Sequence, residues 1–371
     1  MAYLNVEEIE SALETLAAAH PSVTELISLP NATSEGRHSH ALRIGPPDAL
    51  GTDAIVITGG MHAREWVPPD ALVNLAADLL EAHSGGTGLR YGEQRFSADD
   101  IRRMVGEVQL VLFPCVNPDG RHHSQTSSDA MWRKNRRRVD PNLGPRCVGV
   151  DINRNFDVLW DFRRHFAADS GVSASADPCD PQVYVGPAPA SEAETRNVVA
   201  LLDRYPRTRW FVDVHSHVPA IFYNWGFDEN QTSDPSMNFL NNAFDGQRGR
   251  VDNAYREFIP ANDLQALKEL GGKMNAAVTA ASGTGYDLAQ SFALYPTSGV
   301  SDDYAYSRHF VDNTRNKILS FTIECGRSFQ PSWADAENVI REVCAGLVAL
   351  CVAARAQTNA APAGVEGPRV G

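Results

Sequence analysis

His62 and Glu65 stand three residues apart in "VITGGMHAREWVPPDAL", just after an apolar run that climbs from Val56 to two glycines. An imidazole nitrogen and a carboxylate oxygen are both zinc ligands, and catalytic zinc sites take three protein ligands and leave the fourth position to water. Two ligands at this spacing can face one point from a turn at a strand end. The pattern is not the helical His-Glu-x-x-His arrangement, because no second His lies nearby, and a pattern this short also recurs at solvated turns. A third candidate closes the apolar strand "RWFVDV": His215, with His217 two residues on as the alternative. His215 is favoured because the sheet holds the residue directly at a strand end best. Asp151 could accept the second N–H of a ligand His and so orient the ring.

Hydrolysis at such a site also needs a base. Glu324 ends the apolar strand "ILSFTI", where a carboxylate is costly without a task or a partner. It could take a proton from a metal-bound water; pairing with Arg327 is the alternative. Two arginines stand in polar segments, Arg133 beside Trp132 in "MWRKNRRRVD" and Arg154 between Asn153 and Asn155 in "GVDINRNFD". Arg136–Arg138 reads as a solvated face. The Asn-Arg-Asn cluster instead offers fixed donors for a carboxylate, and Arg suits both bidentate carboxylate recognition and oxyanion stabilisation.

The elements that must position these groups can be read from the pattern. Residues 6–19 alternate apolar and acidic positions as an amphipathic helix. "VTELISL" and "HALRIG" read as strands, and "DAIVITGG" and "EVQLVLFPCVNPDG" as strands buried on both faces. "PPDALVNLAADLLEAH" has helix chemistry with prolines in the first turn. "SGGTGLRYGEQRFS" reads as a loop, and residues 121–190 as a long polar segment of the kind that carries function. "SEAETRNVVALLDRYP" suggests a helix capped by Ser191, with Glu194 completing a capping box. "RWFVDVHSHV" and "KILSFTIECG" are strands; "DLQALKELGGKMNAAVTAAS" and "ADAENVIREVCAGLVALCVAAR" are helices. This alternation predicts a single α/β domain over residues 1–356: an α/β/α sandwich around a central mixed, mostly parallel twisted sheet. Residues 357–371 are expected to be a disordered tail. His62, Asn117, His215 and Glu324 all follow apolar runs, at the carboxyl ends where such sheets bind ligands.

Bulk properties narrow the function. The 371 residues are 43% hydrophobic and 21% charged, as a packed globular domain requires. A net charge of −13 argues against nucleic-acid binding, which needs a basic face. No apolar run is long enough to span a bilayer. The opening residues lack a basic stretch followed by an apolar core, so no signal peptide is expected in the chain as written; that fits the cytoplasm, or secretion if a leader has been removed. None of the six cysteines forms a C-x-x-C pair.

Seven segments, "GGMHAREW", "NPDG", "MWRKNRR", "GVDINRNFD", "VDVHSH", "YPTSGVSDDYAY" and "SFTIE", occur in an order that resembles the zinc metallocarboxypeptidases of the carboxypeptidase A/B type. They span nearly the whole chain. The resemblance implies one Zn²⁺ per chain, bound by His62, Glu65 and His215, with Glu324 as general base and acid. It implies that Arg133 polarises the scissile carbonyl, that Asn153, Arg154 and Tyr295 hold the substrate's terminal carboxylate, that Arg64 contacts the peptide upstream, and that Asp151 partners His62. Asp302 aligns with the base of the pocket for the terminal side chain. A carboxylate there resembles the B-type enzymes, which remove Lys and Arg; the alternative is an Asp302 that points away or caps a helix near Asp303. Val300 stands where the family usually has Gly and could narrow the pocket, so broad or apolar specificity stays open. His217 replaces a Tyr, and residues 226–262 look longer than usual. Cys147 and Cys179 bracket a loop as the family's disulfide does, which would imply an oxidising compartment; the other four cysteines read as buried thiols. No inhibitory pro-segment is expected in the chain as written, which would then be active as made unless such a segment has been trimmed. The implied activity is release of one C-terminal residue from peptides or proteins by a monomer. A zinc amidopeptidase acting on bacterial cell-wall peptides is the alternative. An inactive relative that only binds C-termini should lack a ligand or the base, and here all are present.

Overall fold

The computed structural model describes residues 3–47, 51–138, 140–144 and 147–359. The chain begins with helix α1 (Val6–Ala19), strands β1 (Thr24–Ser28), β2 (His40–Ile44) and β3 (Ala54–Gly59), and helix α2 (Val67–Gly85). Strands β4 (Leu89–Tyr91) and β5 (Gln94–Phe96), helix α3 (Ala98–Glu107), strand β6 (Gln109–Phe113) and helix α4 (Pro118–Thr126) follow. Next come α5 (Phe162–His165), α6 (Ala193–Arg204), β7 (Thr208–His215), β8 (Ala220–Tyr223), β9 (Asn230–Gln231) and β10 (Glu257–Phe258). The last elements are α7 (Ala261–Ser282), β11 (Asp287–Gln290), α8 (Ser301–Val311), β12 (Leu319–Glu324) and α9 (Trp333–Asn359).

Eight strands form one sheet in the order β1-β2-β6-β3-β7-β12-β8-β11. At its centre β6, β3, β7 and β12 run parallel. β8 lies antiparallel to β12, and β1, β2 and β6 pair antiparallel at the other side. Both faces are covered, so the central strands are apolar at successive positions. Ile55, Ile57, Leu110, Leu112, Val212 and Val214 pack toward α2, α7 and α9. The intervening Val56, Val111, Phe113 and Phe211 pack toward Val198, Leu201 and Leu202 of α6. This is the period-2 alternation of a strand, used on two buried faces. Each such buried side chain contributes about 1.5–3 kcal/mol, which holds the strand ends in fixed places.

Three local expectations change. The segment read as a loop after α2 folds into the antiparallel hairpin β4–β5. Helix α6 begins at Ala193, and the capping box at Ser191 does not form. Instead the side chain of Asn155 reaches over: its Oδ1 accepts the Glu192 N–H at 3.0 Å and the Thr195 hydroxyl at 3.0 Å, while its Nδ2 donates to Ser191 Oγ at 3.0 Å. A tertiary cap has displaced the local one. Helix α9 runs to Asn359, three residues into the stretch expected to be a tail, and residues 360–371 lie outside the described residues. No helix among the described residues is long and apolar enough to cross a membrane.

Cys147 and Cys179 form a disulfide, and Cys115, Cys325, Cys344 and Cys351 are buried free thiols. Residues 228–249 are locked by their own buried groups. Arg248, fully buried, donates to Asp245 Oδ1 at 2.9 Å and to the Asn241 carbonyl at 3.0 Å, and Asp228 accepts the Gly249 N–H at 2.7 Å.

Candidate metal centre and substrate cleft

The parallel centre of the sheet brings the ends of β3, β7 and β12 to one edge. After β3 the chain turns at Gly60, whose φ is +67°; a Cβ there would sit 3.0 Å from the Pro114 carbonyl and 2.8 Å from Pro69 Cγ. Glycine is required by both the backbone angle and the space. The turn closes with Glu65 N–H donating to the His62 carbonyl at 3.2 Å, and Pro68 and Pro69 start α2 directly behind it. His215 ends β7, and Glu324 ends β12 as its ladder partner.

His62, Glu65 and His215 are all buried, and they are the group among the described residues that could hold a metal ion, with ligand atoms within 4.8 Å of one another. The two imidazoles turn Nδ1 inward, 3.0 Å apart. Glu65 lies between them, Oε1 at 2.8 Å from His62 Nδ1 and Oε2 at 3.0 Å from His215 Nδ1. Each outer nitrogen faces a carboxylate: His62 Nε2 is 3.2 Å from Asp151 Oδ1, and His215 Nε2 is 2.9 Å from Asp213 Oδ2. These carboxylates favour the Nε2–H tautomer, which leaves both Nδ1 lone pairs aimed at the same point. Two nitrogen lone pairs and a carboxylate converging in a buried space are a donor set for a divalent cation.

The charges follow from this packing. Burial works to raise Glu65, but His62 and His215 outweigh it and hold the carboxyl well below its usual range. Asp151 is likewise held low, because Arg133 and His62 overcome its burial. Arg133 grips Asp151 Oδ2 through Nε at 3.0 Å and Nη2 at 2.8 Å. Glu324 behaves differently: burial first, then the charge of Glu65, pushes it up to about 8, and its Oε2 is buried with no hydrogen-bond partner. A divalent charge among the ligands acts in the opposite sense on Glu324. Arg327 is exposed and does not pair with Glu324.

His62, Arg133, Asn153, Arg154, Tyr295, Asp302 and Glu324 line one cleft above this centre. Arg154 is fixed by Ser173, whose carbonyl accepts from Nε at 2.5 Å, and by the Asn153 carbonyl, which accepts from Nη1 at 2.6 Å. Asn153 is fixed in turn by the Ser301 N–H, 2.8 Å from its Oδ1. Tyr295 is 39% exposed at the mouth. Arg64 donates to Gln182 Oε1 at 2.8 Å and lies over the Phe329 ring at 4.2 Å; His217 meets the same ring edge-on at 4.3 Å. Asp302 is 3% exposed. Helix α8 starts at Ser301 with Val300 as N-cap and no side-chain cap bond, so Asp302 does not cap it.

Asp213 was not singled out in the sequence, although the signal exists: in "VDVH" the Asp and His are two apart on a strand and share a face. Asp213 also accepts from Thr58 Oγ1 at 2.8 Å and Ser301 Oγ at 2.6 Å, so it is rigidly placed. Replacing Asp213 by Asn is expected to weaken metal binding about 10–100-fold, read by competition with a chelator; unchanged affinity would show that this carboxylate does not orient His215. The cleft walls Phe222, Ser291 and Leu294 carried no motif, and Thr297 and Thr322, inside recognised segments, were not singled out.

The family model for zinc carboxypeptidases matches residues 9–346. The chain belongs to the zinc carboxypeptidase family. Members of this family carry one Zn²⁺ per chain, and the inward Nδ1 atoms with Glu65 fit that ion. Carboxypeptidase B of Astacus astacus is 30% identical over 305 residues, covering 82% of this chain and 81% of its own. Carboxypeptidase B of Rattus norvegicus is 26% identical over 346 residues, covering 92% of this chain and 68% of its own. The chain spans 60% of the length of the mouse and rat Carboxypeptidase A relatives that it matches. The fold is shared with bovine thrombin-activatable fibrinolysis inhibitor in complex with tick carboxypeptidase inhibitor, at a TM-score of 0.70 and 21% identity over 96% of this chain and 98% of that one. It is shared also with the carboxypeptidase A of Helicoverpa armigera, at 0.69 and 23% over 97% of this chain and 74% of that one. The family is one of metal-dependent hydrolases.

Proposed function

We propose that this carboxypeptidase removes a single C-terminal Lys or Arg, with Glu324 as the proton carrier. The observation that carries the basic preference is Asp302: a buried carboxylate lining the cleft, with no cationic side chain paired to it among the described residues. Burial raises its carboxyl, with Asp213 adding to the rise. Such a group gains most from a ligand that brings a positive charge.

His62, Glu65 and His215 would hold a zinc ion whose Lewis acidity would polarise a carbonyl and make water acidic near neutral pH. The chain's residues do the rest. Arg154, Asn153 and Tyr295 receive the terminal carboxylate, and two of them are preset by Ser173 and Ser301. Arg133 donates to the oxygen on which charge develops, from a site dry enough for such a bond to count. Glu324 takes the water proton and returns it to the departing amine; its unpartnered Oε2 supports this reading. Asp151 and Asp213 keep the two imidazoles in one tautomer. Ligands, base and pocket all come from one chain, which supports a monomer as the working unit.

The test is turnover of paired blocked dipeptides ending in Arg, Lys or Phe, with and without a zinc chelator. Release of the basic residues over Phe, lost on chelation and restored by zinc, is expected. Release of Phe in preference would discard the basic specificity and keep the enzyme class. No release with zinc bound would favour cell-wall peptides as substrate.

A further inference from the structure

We propose that the pocket over Asp302 is shaped for a primary ammonium, so that the enzyme releases C-terminal lysine in preference to arginine, and that Val300 sets this choice. The inference rests on the basic-residue reading above and narrows it.

Space is the first argument. The cleft that runs from Arg133 and Glu324 to Asp302 is narrow, with a cavity volume of about 60 Å³, whereas the cavity between Tyr286, Arg327 and Glu342 holds about 420 Å³. Three walls are apolar: Phe222, Leu294 and Val300. Val300 is 5% exposed and its backbone cannot retreat. It follows Gly299, which sits at φ +65° with its position for a Cβ only 2.5 Å from the Arg154 carbonyl, and Val300 itself caps α8. The isopropyl group therefore stays in the wall. An unbranched methylene stem fits between such walls; a planar guanidinium needs a wider slot.

The chemistry at the base is the second argument. The Asp303 backbone and the Thr322 hydroxyl stabilise the Asp302 carboxylate against its burial, so part of its charge is answered before a ligand arrives, which suits a compact single donor better than a two-pronged fork. Two further hydroxyls line the same cleft. Ser291 Oγ is 3.5 Å from Asp302 Oδ2, and Thr297 Oγ1 is buried, lines the cleft and has no hydrogen-bond partner. An ammonium is a compact charge with three rotatable donors. One can go to Asp302 and the others to the hydroxyls, which satisfies Thr297 as well. A guanidinium, with five donors in a fixed plane, leaves several of them unpaired between the apolar walls.

The experiment compares kcat/KM for matched blocked dipeptides ending in Lys and Arg. Lys is expected to exceed Arg by about tenfold or more. In Val300→Gly the ratio should fall toward one through a gain on Arg; Val300→Ala, a milder change, should fall part of the way. In the unaltered enzyme, inhibition by a free ω-amino acid should exceed that by its guanidino counterpart, a comparison independent of any variant's folding. Arg processed as well as Lys would overturn the inference while leaving basic specificity intact. Preference for Phe would instead overturn the basic reading itself. A Lys preference unchanged in both folded variants would remove Val300 from the explanation.

Discussion

Glu324→Gln is expected to keep its zinc and lose about 10²–10⁴ in kcat/KM, the range for removing a general base. The substitution is close to isosteric. Oε2 of Glu324 has no hydrogen-bond partner in the folded protein, so an amide there breaks no existing bond at that atom. In the metal-free protein it also removes a carboxylate that burial and the charge of Glu65 destabilise, so the stability comparison is made on the metal-free forms. Thermal stability should therefore hold or rise while turnover collapses, and that divergence separates a chemical role from a structural one. Metal content and kcat/KM measured on the same preparation decide it. Near-normal turnover with one zinc bound would rule Glu324 out as base.

The second large effect is at the pocket base. Asp302→Ile should reverse the order of Lys- and Phe-terminated substrates, with the Lys/Phe ratio falling by about thirtyfold or more. That corresponds to the roughly 2–5 kcal/mol cost of deleting one member of a buried charge pair. Folding should tolerate the change, because Asp302 is raised first by burial and then by the nearby Asp213, so an apolar side chain relieves both. Its neighbour Asp303, also pushed up by burial and by Asp302, should keep its bonds from Asn224 Nδ2 at 2.9 Å and the Gly226 N–H at 3.0 Å. A ratio that does not move would show that the terminal side chain never meets Asp302.

Much of the site was legible because strand ends advertise themselves. β3 and β12 are apolar runs that stop at polar residues, and His62, Glu65, His215 and Glu324 all lie at such stops. The sheet and its two buried faces could be read from the same runs. What escaped depends on contacts distant in sequence. The capping of α6 by Asn155 crosses 37 residues and overrides a plausible local box. The hairpin β4–β5 is three residues a side, too short for a periodic signal. Phe222, Leu294 and Thr297 wall the pocket, yet nothing in their types separates them from ordinary packing residues. Asp213 was readable and overlooked: an acidic residue inside a buried strand requires a partner, and that partner is two residues away.

The ladder between β7 and β12 pairs His215 with Glu324, and the ladder between β3 and β7 pairs Gly59 with Val214. Side chains alternate along a strand, so a slip of one residue would turn Glu324 or His215 to the opposite face. The donor cluster therefore works as a checksum on the sheet. Only a chain with both ladders in phase gathers His62, Glu65 and His215 around one point and sets Glu324 beside them. Because the ion binds that arrangement and not its near misses, it adds weight to the correctly phased sheet over compact competitors with shifted strands.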